Sequence, residues 1–249
     1  MTRRPSLPRN LKPKLQRRLP GLLCLVCMAL PDALAAQAPL TDIGAAPRQQ
    51  FIAPAAGSYV LHAIERAPDG RVIDSDGREY DFKRFSSGRI TLLSFMYTYC
   101  SDPIGCPLAF STLHGLRERL LAMPELARRV RFVSLSFDPT HDTPEAMRLY
   151  AGPLAKSSQV LQWHFLTTAS LRQLTPLVDG FGQSVQVQRD NQGRPGRLYH
   201  HMLKMFLLDA QGRVREIYST AFLQPEVMLN DIKTLAMEGA PAATVAARR

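Results

Sequence analysis

The fold is decided by residues 90–107, which read ITLLSFMYTYCSDPIGCP. The first seven residues are an unbroken apolar run, which is typical of a strand buried on both faces. Residues 108–121 then repeat leucine near helical spacing, which predicts a helix. Cys100 and Cys106 therefore lie between a strand and a helix, with Pro107 at the first helical position and Cys106 as the N-cap. Unpaired N–H groups at a helix start carry partial positive charge, so this loop favours a thiolate.

The remaining chain alternates predicted strands and helices. Strands are predicted at residues 59–61, 72–73, 130–137, 163–166, 202–208 and 214–218, and helices at 108–121, 144–154, 170–181 and 225–237. Thr143 is the expected N-cap of the helix that begins at Pro144. Residues 183–196 are polar and predict a loop or a loose hairpin. This order predicts an α/β, thioredoxin-like fold, with a central mixed sheet flanked by helices and an N-terminal β-hairpin extension.

The positive charge of the chain is concentrated at its start. The 249 residues carry a net charge of +10, but only 24 basic and 20 acidic residues remain beyond residue 35, a net charge of +4. No basic patch with interleaved aromatic residues follows, so nucleic acid is not an expected partner.

Residues 1–35 have the pattern of a secretory signal peptide: a basic region, a short apolar core and small residues before Ala35 and Ala36. We expect cleavage after one of these two alanines and a periplasmic location; the alternative is attachment to the inner membrane through a retained N-terminus. Cys24 and Cys27 lie inside the apolar core and are expected to be removed with it. Residues 36–56 are expected to be a linker or irregular arm, 57–238 the thioredoxin-like domain, and 239–249 a disordered tail.

Cys100 and Cys106 are then the two cysteines of the mature chain. Two nearby cysteines in an exported protein form a structural disulfide, a redox pair or a metal site. Thiolate sulfur suits copper(I), and imidazole is a suitable third donor.

Six histidines are candidates for that third donor: His62, His114, His141, His164, His200 and His201. The first four are expected at the surface, on the cysteine helix, in a helix-cap turn and in a packed strand. His200 and His201 are expected to begin the hairpin of residues 202–218, with their side chains on opposite faces. Strand parity alone does not decide which of the two faces the cysteines.

The chain resembles the Sco/SenC family in four segments: Cys100 to Leu108, Ser136 to Glu145, Trp163 to Thr167 and His201 to Gly212. That family comprises thioredoxin-fold copper proteins of the bacterial periplasm and mitochondrial inner membrane that deliver copper to cytochrome c oxidase. The resemblance implies one copper ion per chain, held by Cys100, Cys106 and His201.

The same resemblance implies that the partners are the copper subunit of cytochrome c oxidase or another periplasmic cuproprotein, and a copper donor or thiol reductant. The usual family loop is C-x3-C, whereas this chain has C-x5-C. We expect the longer loop to affect the identity of the target protein more than the copper site.

Two aspartates are candidates for tuning the site without binding the metal, Asp102 and Asp138; their alternative role is that of turn and cap residues. An enzymatic alternative is a periplasmic thiol–disulfide oxidoreductase, which uses Cys100 and Cys106 but does not need His201. Two more functions fit the same cysteines: a thiol peroxidase, with Thr98 near Cys100, and a structural disulfide domain without metal. Loss of copper binding but not of disulfide exchange in His201→Ala separates a copper carrier from an oxidoreductase.

Overall fold

The computed structural model describes residues 52–100, 102, 105–156 and 160–238. Its ten strands are β1 (Glu65–Arg66), β2 (Arg71–Asp74), β3 (Glu79–Asp81), β4 (Ile90–Met96), β5 (Val130–Ser136), β6 (Gln162–Thr167), β7 (Val185–Arg189), β8 (Pro195–His201), β9 (Lys204–Leu208) and β10 (Arg213–Ser219). Eight of them form one mixed sheet in the order β1-β10-β9-β4-β5-β6-β2-β3, and β7 pairs with β8 in a separate two-stranded sheet.

Six α-helices accompany the described strands: α1 (Phe82–Phe85), α2 (Cys106–Leu121), α3 (Pro124–Ala127), α4 (Pro144–Ala151), α5 (Leu171–Gly180) and α6 (Pro225–Glu238). Short 3-10 turns follow α4 at Gly152–Lys156 and β10 at Thr220–Phe222. The predicted class, an α/β thioredoxin-like fold with a central mixed sheet and flanking helices, is confirmed.

The centre of the sheet is the parallel pair β4 and β5, in which every residue of both strands is buried. Side chains alternate between the two faces of a strand, so both faces must be covered. Ser94 and Met96 lie with Cys106 of α2 around a small internal cavity. Phe95 points the other way, against Phe181 at the end of α5 and against Phe206 of β9. Each such fully buried ring contributes about 1.5–3 kcal/mol to stability.

The N-terminal hairpin exists, but only one of its strands, β2, matches a predicted one. β2 pairs with β3 and joins the main sheet through β6, antiparallel in both cases. The strand predicted at residues 59–61 is wrong. The Tyr59 hydroxyl instead bonds Asp231 of α6, and the carbonyl of Leu61 accepts from the Arg215 guanidinium rather than from a neighbouring strand. The carbonyl of Leu61 is thus satisfied by a side chain rather than by a sheet ladder.

The cysteine helix begins one residue earlier than predicted. Gly105 is its N-cap, so the expectation that Cys106 is the N-cap is wrong, and Cys106 is the first helical residue. Pro107 fits in that first turn because it has no N–H to leave unpaired. The cap at Thr143 is confirmed, since its hydroxyl accepts from Ala146 N at 3.2 Å.

The histidines at 200 and 201 also lie in a different element. They end β8, the second strand of the small sheet, rather than beginning the hairpin of β9 and β10. Residues 183–196, predicted to be a loop or a loose hairpin, contain β7 and the start of β8, and these two strands pair antiparallel.

The predicted signal peptide, residues 36–51 of the predicted arm and the predicted tail lie outside the described residues. The described end of the arm packs on α6, where Asn230 Nδ2 donates to Pro54 O at 2.9 Å and Gly57 N donates to Thr234 Oγ1 at 2.9 Å. No helix within the described ranges is long and apolar enough to cross a membrane.

Candidate metal centre

The two cysteines lie at the carboxyl end of β4, the edge of an α/β sheet where ligands usually bind. A turn closed by Cys100 N and Tyr97 O at 3.2 Å leads out of the strand and leaves Cys100 half-buried. Cys106 is buried in the first turn of α2. Both are free thiols.

His201 reaches the cysteines from the end of β8. It pairs with Val185 of β7, and the alternation of the strand places it on the same face as Tyr199. His200 lies on the opposite face and is exposed. Two hydrogen bonds next to His201 connect the segment before β7 to the start of β9. Gln183 Nε2 donates to Met202 O at 2.8 Å, and Lys204 Nζ donates to Gly182 O at 2.8 Å.

Three donor atoms converge here. The sulfurs of Cys100 and Cys106 and a ring nitrogen of His201 all lie within 4.8 Å of one another. Cys106 Sγ is 4.0 Å from His201 Nε2. Among the side chains that the structure describes, this is the one group of three or more His, Cys, Asp or Glu residues with the spacing of a metal site.

The two thiols are electrostatically unequal. A hydrogen bond from Cys106 lowers the pKa of Cys100 against the effect of burial, with help from His201, the N–H of Asp102 and the Tyr97 hydroxyl. The hydrogen bond to Cys100 and burial raise the pKa of Cys106. One proton shared by the pair therefore stays on Cys106, and Cys100 carries the thiolate.

Aromatic rings enclose the imidazole. Phe137, which follows β5, lies 4.8 Å from the ring of His201 between centroids, and Tyr97 lies 6.1 Å away. Tyr199 contacts both Tyr97 and Phe137, at 5.2 and 5.4 Å. These residues were not singled out from the sequence, although each one either follows a buried strand by one residue or precedes His201 by two.

Asp138 contacts residues beside the metal donors rather than the donors themselves. Its carboxylate is fully buried and accepts from the Tyr99 hydroxyl, from His141 Nδ1 at 2.7 Å and from Thr140 N at 3.2 Å. Burial opposes ionisation, but the hydrogen bonds from Tyr99, His141 and Tyr199 hold the pKa of Asp138 below its usual value. Asp138 thus fixes Tyr99, the residue before Cys100, and its negative charge also acts on Tyr199, two residues before His201.

Asp102 lies at the start of α2. A Cβ added to Gly105 would come within 2.6 Å of Asp102 Oδ2, so the carboxylate lies directly over the helix N-cap. Its negative charge contributes to the raised pKa of Cys106. The positions of both aspartates suit the tuning role predicted for them, which stays a prediction.

Asp142 anchors the cysteine loop. It accepts from Thr98 N at 3.1 Å, from Thr98 Oγ1 at 2.6 Å and from Ser136 Oγ at 2.5 Å, and burial raises its pKa. The hydroxyl of Thr98 is therefore engaged by a carboxylate, which disfavours a thiol peroxidase. Asp142 is a further residue that the sequence pattern did not indicate.

The remaining histidines have local partners or face solvent. His164 Nδ1 bonds Asp74 Oδ2 at 2.6 Å, and the ring of His114 packs beside Phe110 at 5.7 Å. His141 bonds Asp138, as a residue near the site but not of it. His62 is exposed.

Comparison with known proteins identifies the family of the chain. The sequence profile described as SCO1/SenC matches residues 67–237. The chain belongs to the SCO1/SenC family. A search of curated protein sequences finds no match.

Solved SCO1/SenC structures share the fold. A SCO1/SenC family lipoprotein from Bacillus anthracis is 24% identical with a TM-score of 0.57, covering 72% of this chain and 99% of that one. Copper-bound ScoI from Bradyrhizobium japonicum is 21% identical with a TM-score of 0.53, covering 68% and 98%. BsSco, a member of the Sco family of cytochrome c oxidase assembly proteins in which a disulfide switch has been identified, is 20% identical with a TM-score of 0.55, covering 72% of this chain and 98% of that one.

Proposed function

We propose that this protein is an exported copper carrier that delivers copper to a respiratory oxidase or another periplasmic cuproprotein. The observation that carries the proposal is the convergence of Cys100, Cys106 and His201 within 4.8 Å. The similarity to copper-bound ScoI and to BsSco, a Sco protein of cytochrome c oxidase assembly, supports the same function.

The donor set suits copper(I). Two thiolates and one imidazole are soft or borderline ligands, which copper(I) prefers over the oxygen ligands of magnesium or calcium. Metal–sulfur and metal–nitrogen bonds of roughly 2.0–2.3 Å place two donors about 3.5–4.5 Å apart. The 4.0 Å between Cys106 Sγ and His201 Nε2 falls in that range. Three protein ligands leave one face of the ion open to the ligands of an acceptor.

Loading has a defined proton balance. Cys100 is the more acidic thiol and binds without a large deprotonation cost, whereas Cys106 must release its proton when the metal binds. The imidazole of His201 must be neutral. Copper affinity should therefore rise with pH, because removing the proton of Cys106 costs less free energy at higher pH.

The redox state of the cysteines gates this loading. Oxidation joins Cys100 Sγ to Cys106 Sγ. The two electrons and the proton of Cys106, with a second proton from solvent, pass to a disulfide of a partner protein and reduce it to two thiols. The disulfide leaves neither thiolate for copper. A dithiol reductant restores both thiols. Copper binding therefore depends on the thiol–disulfide redox potential of the compartment.

A copper(I) titration of reduced protein under anaerobic conditions tests the proposal. We expect one ion per wild-type chain, and loss of stable binding in Cys100→Ser, Cys106→Ser and His201→Ala. The matched control is His200→Ala, since His200 adjoins His201 but is exposed on the opposite face of β8. Equal binding by wild type and His201→Ala would refute the ligand assignment.

A thiol–disulfide oxidoreductase is the second candidate, in which the protein reduces the cysteines of a client copper site. The lowered pKa of Cys100 beside a protonated Cys106 favours it, because this is the pairing of an attacking and a resolving thiol. His201→Ala should retain disulfide exchange if this is the function. A variant that loses copper but still reduces a client disulfide at the wild-type rate separates the two roles.

Export is the remaining element of the proposal. Residues 1–35 have the composition of a signal peptide, and one similar structure is a lipoprotein. Mass spectrometry of protein recovered from the periplasm should give an N-terminus at Ala36 or Gln37. An uncleaved chain in the membrane fraction would instead indicate a retained anchor.

A further inference from the structure

A cavity of about 450 Å³ lies at the edge of the main sheet opposite the metal centre. It lies where β4 and β5 begin, so its lining includes Arg89 and Arg129, the residues just before these strands. The turn between β9 and β10 forms another side, and Arg213 and Arg215 of β10 line the cavity there. The length of β4 separates this cavity from the cysteine loop by about 20 Å.

The carboxylates of the cavity are already paired. Two of them line it, those of Asp209 and Glu238. Asp209 accepts from Arg213 Nε at 2.8 Å and from Arg215 Nη1 at 2.9 Å. Glu238 accepts from Arg215 Nη2 at 2.8 Å. These two arginines and two carboxylates balance, so the net charge of the cavity comes from its other two arginines.

Arg89 and Arg129 are those two arginines. Within the described ranges, no carboxylate forms an ion pair with either side chain. Arg89 Nη1 instead donates to the neutral amide oxygen of Gln162 at 3.0 Å. The positive charge extends to the buried Arg131, whose pKa is lowered to about 10 by burial and by the charge of Arg89. This edge of the sheet is therefore positively charged.

We propose that the cavity binds the phosphate group of a small phosphate ester, held by the guanidinium groups of Arg89, Arg129 and Arg213. Such a group occurs in soluble esters such as glycerol phosphate and in the headgroups of anionic phospholipids. The site shares no residue with the metal centre. It is an additional binding site, and it does not depend on the proposed delivery of copper.

The chemistry of the three donors favours phosphate. A guanidinium presents a planar fork of N–H groups that matches two phosphate oxygens. Arg213 bonds Asp209 through Nε and Gln211 through Nη2, which leaves Nη1 for a ligand. The three arginines come from three segments of the chain, so they can approach a tetrahedral anion from different sides. A carboxylate, with two oxygens in one plane, can accept from fewer such groups.

The size of the cavity favours an ester over a bare phosphate ion. Its volume lies within the range of small-molecule sites, roughly 300–1,000 Å³. Ile90, Ala210 and Leu235 supply an apolar part of the lining beside the arginines. The phosphate group can therefore bind the guanidinium groups while the organic part of the ester occupies the remaining space.

Titration with glycerol 3-phosphate at constant ionic strength tests the site. Two-dimensional NMR of the isotope-labelled protein should show saturable shifts at Gly88 and Gln211, which line the cavity, and none at His201. Combined Arg89→Gln and Arg129→Gln substitutions should weaken binding about tenfold or more, because charge-assisted hydrogen bonds are lost.

The matched control combines Arg172→Gln and Arg189→Gln. It removes the same number of charges from exposed positions that do not line the cavity, and it should bind glycerol 3-phosphate like wild type. A third variant, Arg89→Lys with Arg129→Lys, keeps both charges but lacks the planar forks, so its binding should still weaken. Wild-type affinity in the lysine variant, or equal losses in the glutamine variant and its control, would overturn the proposal. Urea unfolding of each variant checks that it is folded.

Vesicles distinguish the two sources of the phosphate group. Vesicles of phosphatidylglycerol and phosphatidylcholine should capture wild type, but not the Arg89→Gln and Arg129→Gln variant, if a lipid headgroup is the ligand. Binding of glycerol 3-phosphate without such capture assigns a soluble ester. Absence of both saturable binding and Arg-dependent capture would refute the site. Copper(I) titration of the same variants reports on the metal centre separately, so failure of the phosphate site and failure of the proposed function are distinguishable.

Discussion

Replacement of Asp138 by asparagine tests how the site is held together. The substitution keeps the size of the side chain but removes the charge that accepts from Tyr99, His141 Nδ1 and Thr140 N. One amide oxygen cannot replace a carboxylate for all three donors, and the amide NH₂ faces a donor instead of accepting from it. A hydrogen bond to a buried charge contributes about 1.5–3 kcal/mol, so we expect a loss of about 3 kcal/mol in the free energy of unfolding.

The effect on copper should accompany the loss of stability. Tyr99 precedes Cys100, and both Tyr99 and Tyr199 interact with Asp138. When these contacts loosen, the cysteine loop and the β8 strand are less well placed for binding. Loss of a residue that supports metal ligands typically costs 10- to 100-fold in affinity. We therefore expect copper(I) affinity to fall about tenfold in Asp138→Asn, measured by competition with a chromophoric copper(I) chelator.

The matched control is Asp74→Asn. Asp74 is a buried aspartate that also accepts from a histidine, His164 Nδ1 at 2.6 Å, but it lies at β2 and takes no part in the metal centre. Its substitution should destabilise the protein in urea titrations without changing copper affinity. Equal losses of copper affinity in both variants would indicate a general effect of destabilisation and would refute the role of Asp138.

The pH dependence gives the sign of the electrostatic contribution. The pKa of Asp138 is lowered in the folded protein, so its stabilising effect is present above the unfolded value near 3.9 and is lost as the pH falls through the folded value. The stability difference between wild type and Asp138→Asn should be constant near pH 7 and shrink below about pH 4. A difference that stays the same down to pH 3 would contradict this assignment.

Two further substitutions test parts of the structure with different links to the site. The buried guanidinium of Arg215 pairs with Asp209 at 2.9 Å and Glu238 at 2.8 Å, so Arg215→Ala should lose about 3–5 kcal/mol in urea unfolding and keep its copper stoichiometry. Thr98→Val removes the hydroxyl that donates to Asp142 at 2.6 Å; it should cost about 1–3 kcal/mol and accelerate release of copper(I) to a chelator in stopped-flow measurements.

The central strands could be predicted because burial determines their sequence. β4 and β5 are covered on both faces, so nearly every residue is apolar or small, and the predicted and observed bounds agree within one residue. Residues 59–61 carry the same local signal without a partner strand. Arg215, distant in sequence, bonds the carbonyl of Leu61, and no local pattern indicates such a contact.

The sequence pattern did not predict β8, the strand that carries His201. Residues 183–196 are polar because most of β7 is exposed: Val185 is partly buried, but the next apolar residue of the same face, Val187, is exposed. Parity correctly separated His200 from His201 but did not choose between them. The family resemblance implied His201, and the structure adds the register in which His201 pairs with Val185. The aromatic enclosure by Tyr97 and Tyr199 was hidden for the same reason, since it forms between strands of different sheets.

The five-residue spacing between Cys100 and Cys106 has a smaller effect than its length suggests. Extending a closed loop from three to five intervening residues costs about 0.4 kcal/mol of chain entropy. The turn at Tyr97 and the N-cap at Gly105 fix the two ends of the loop, so the sulfurs still converge on His201. The hydrogen bonds of Asp138 and Asp142 are each worth more than that entropy. The geometry of the site is therefore set mainly by residues outside the cysteine loop.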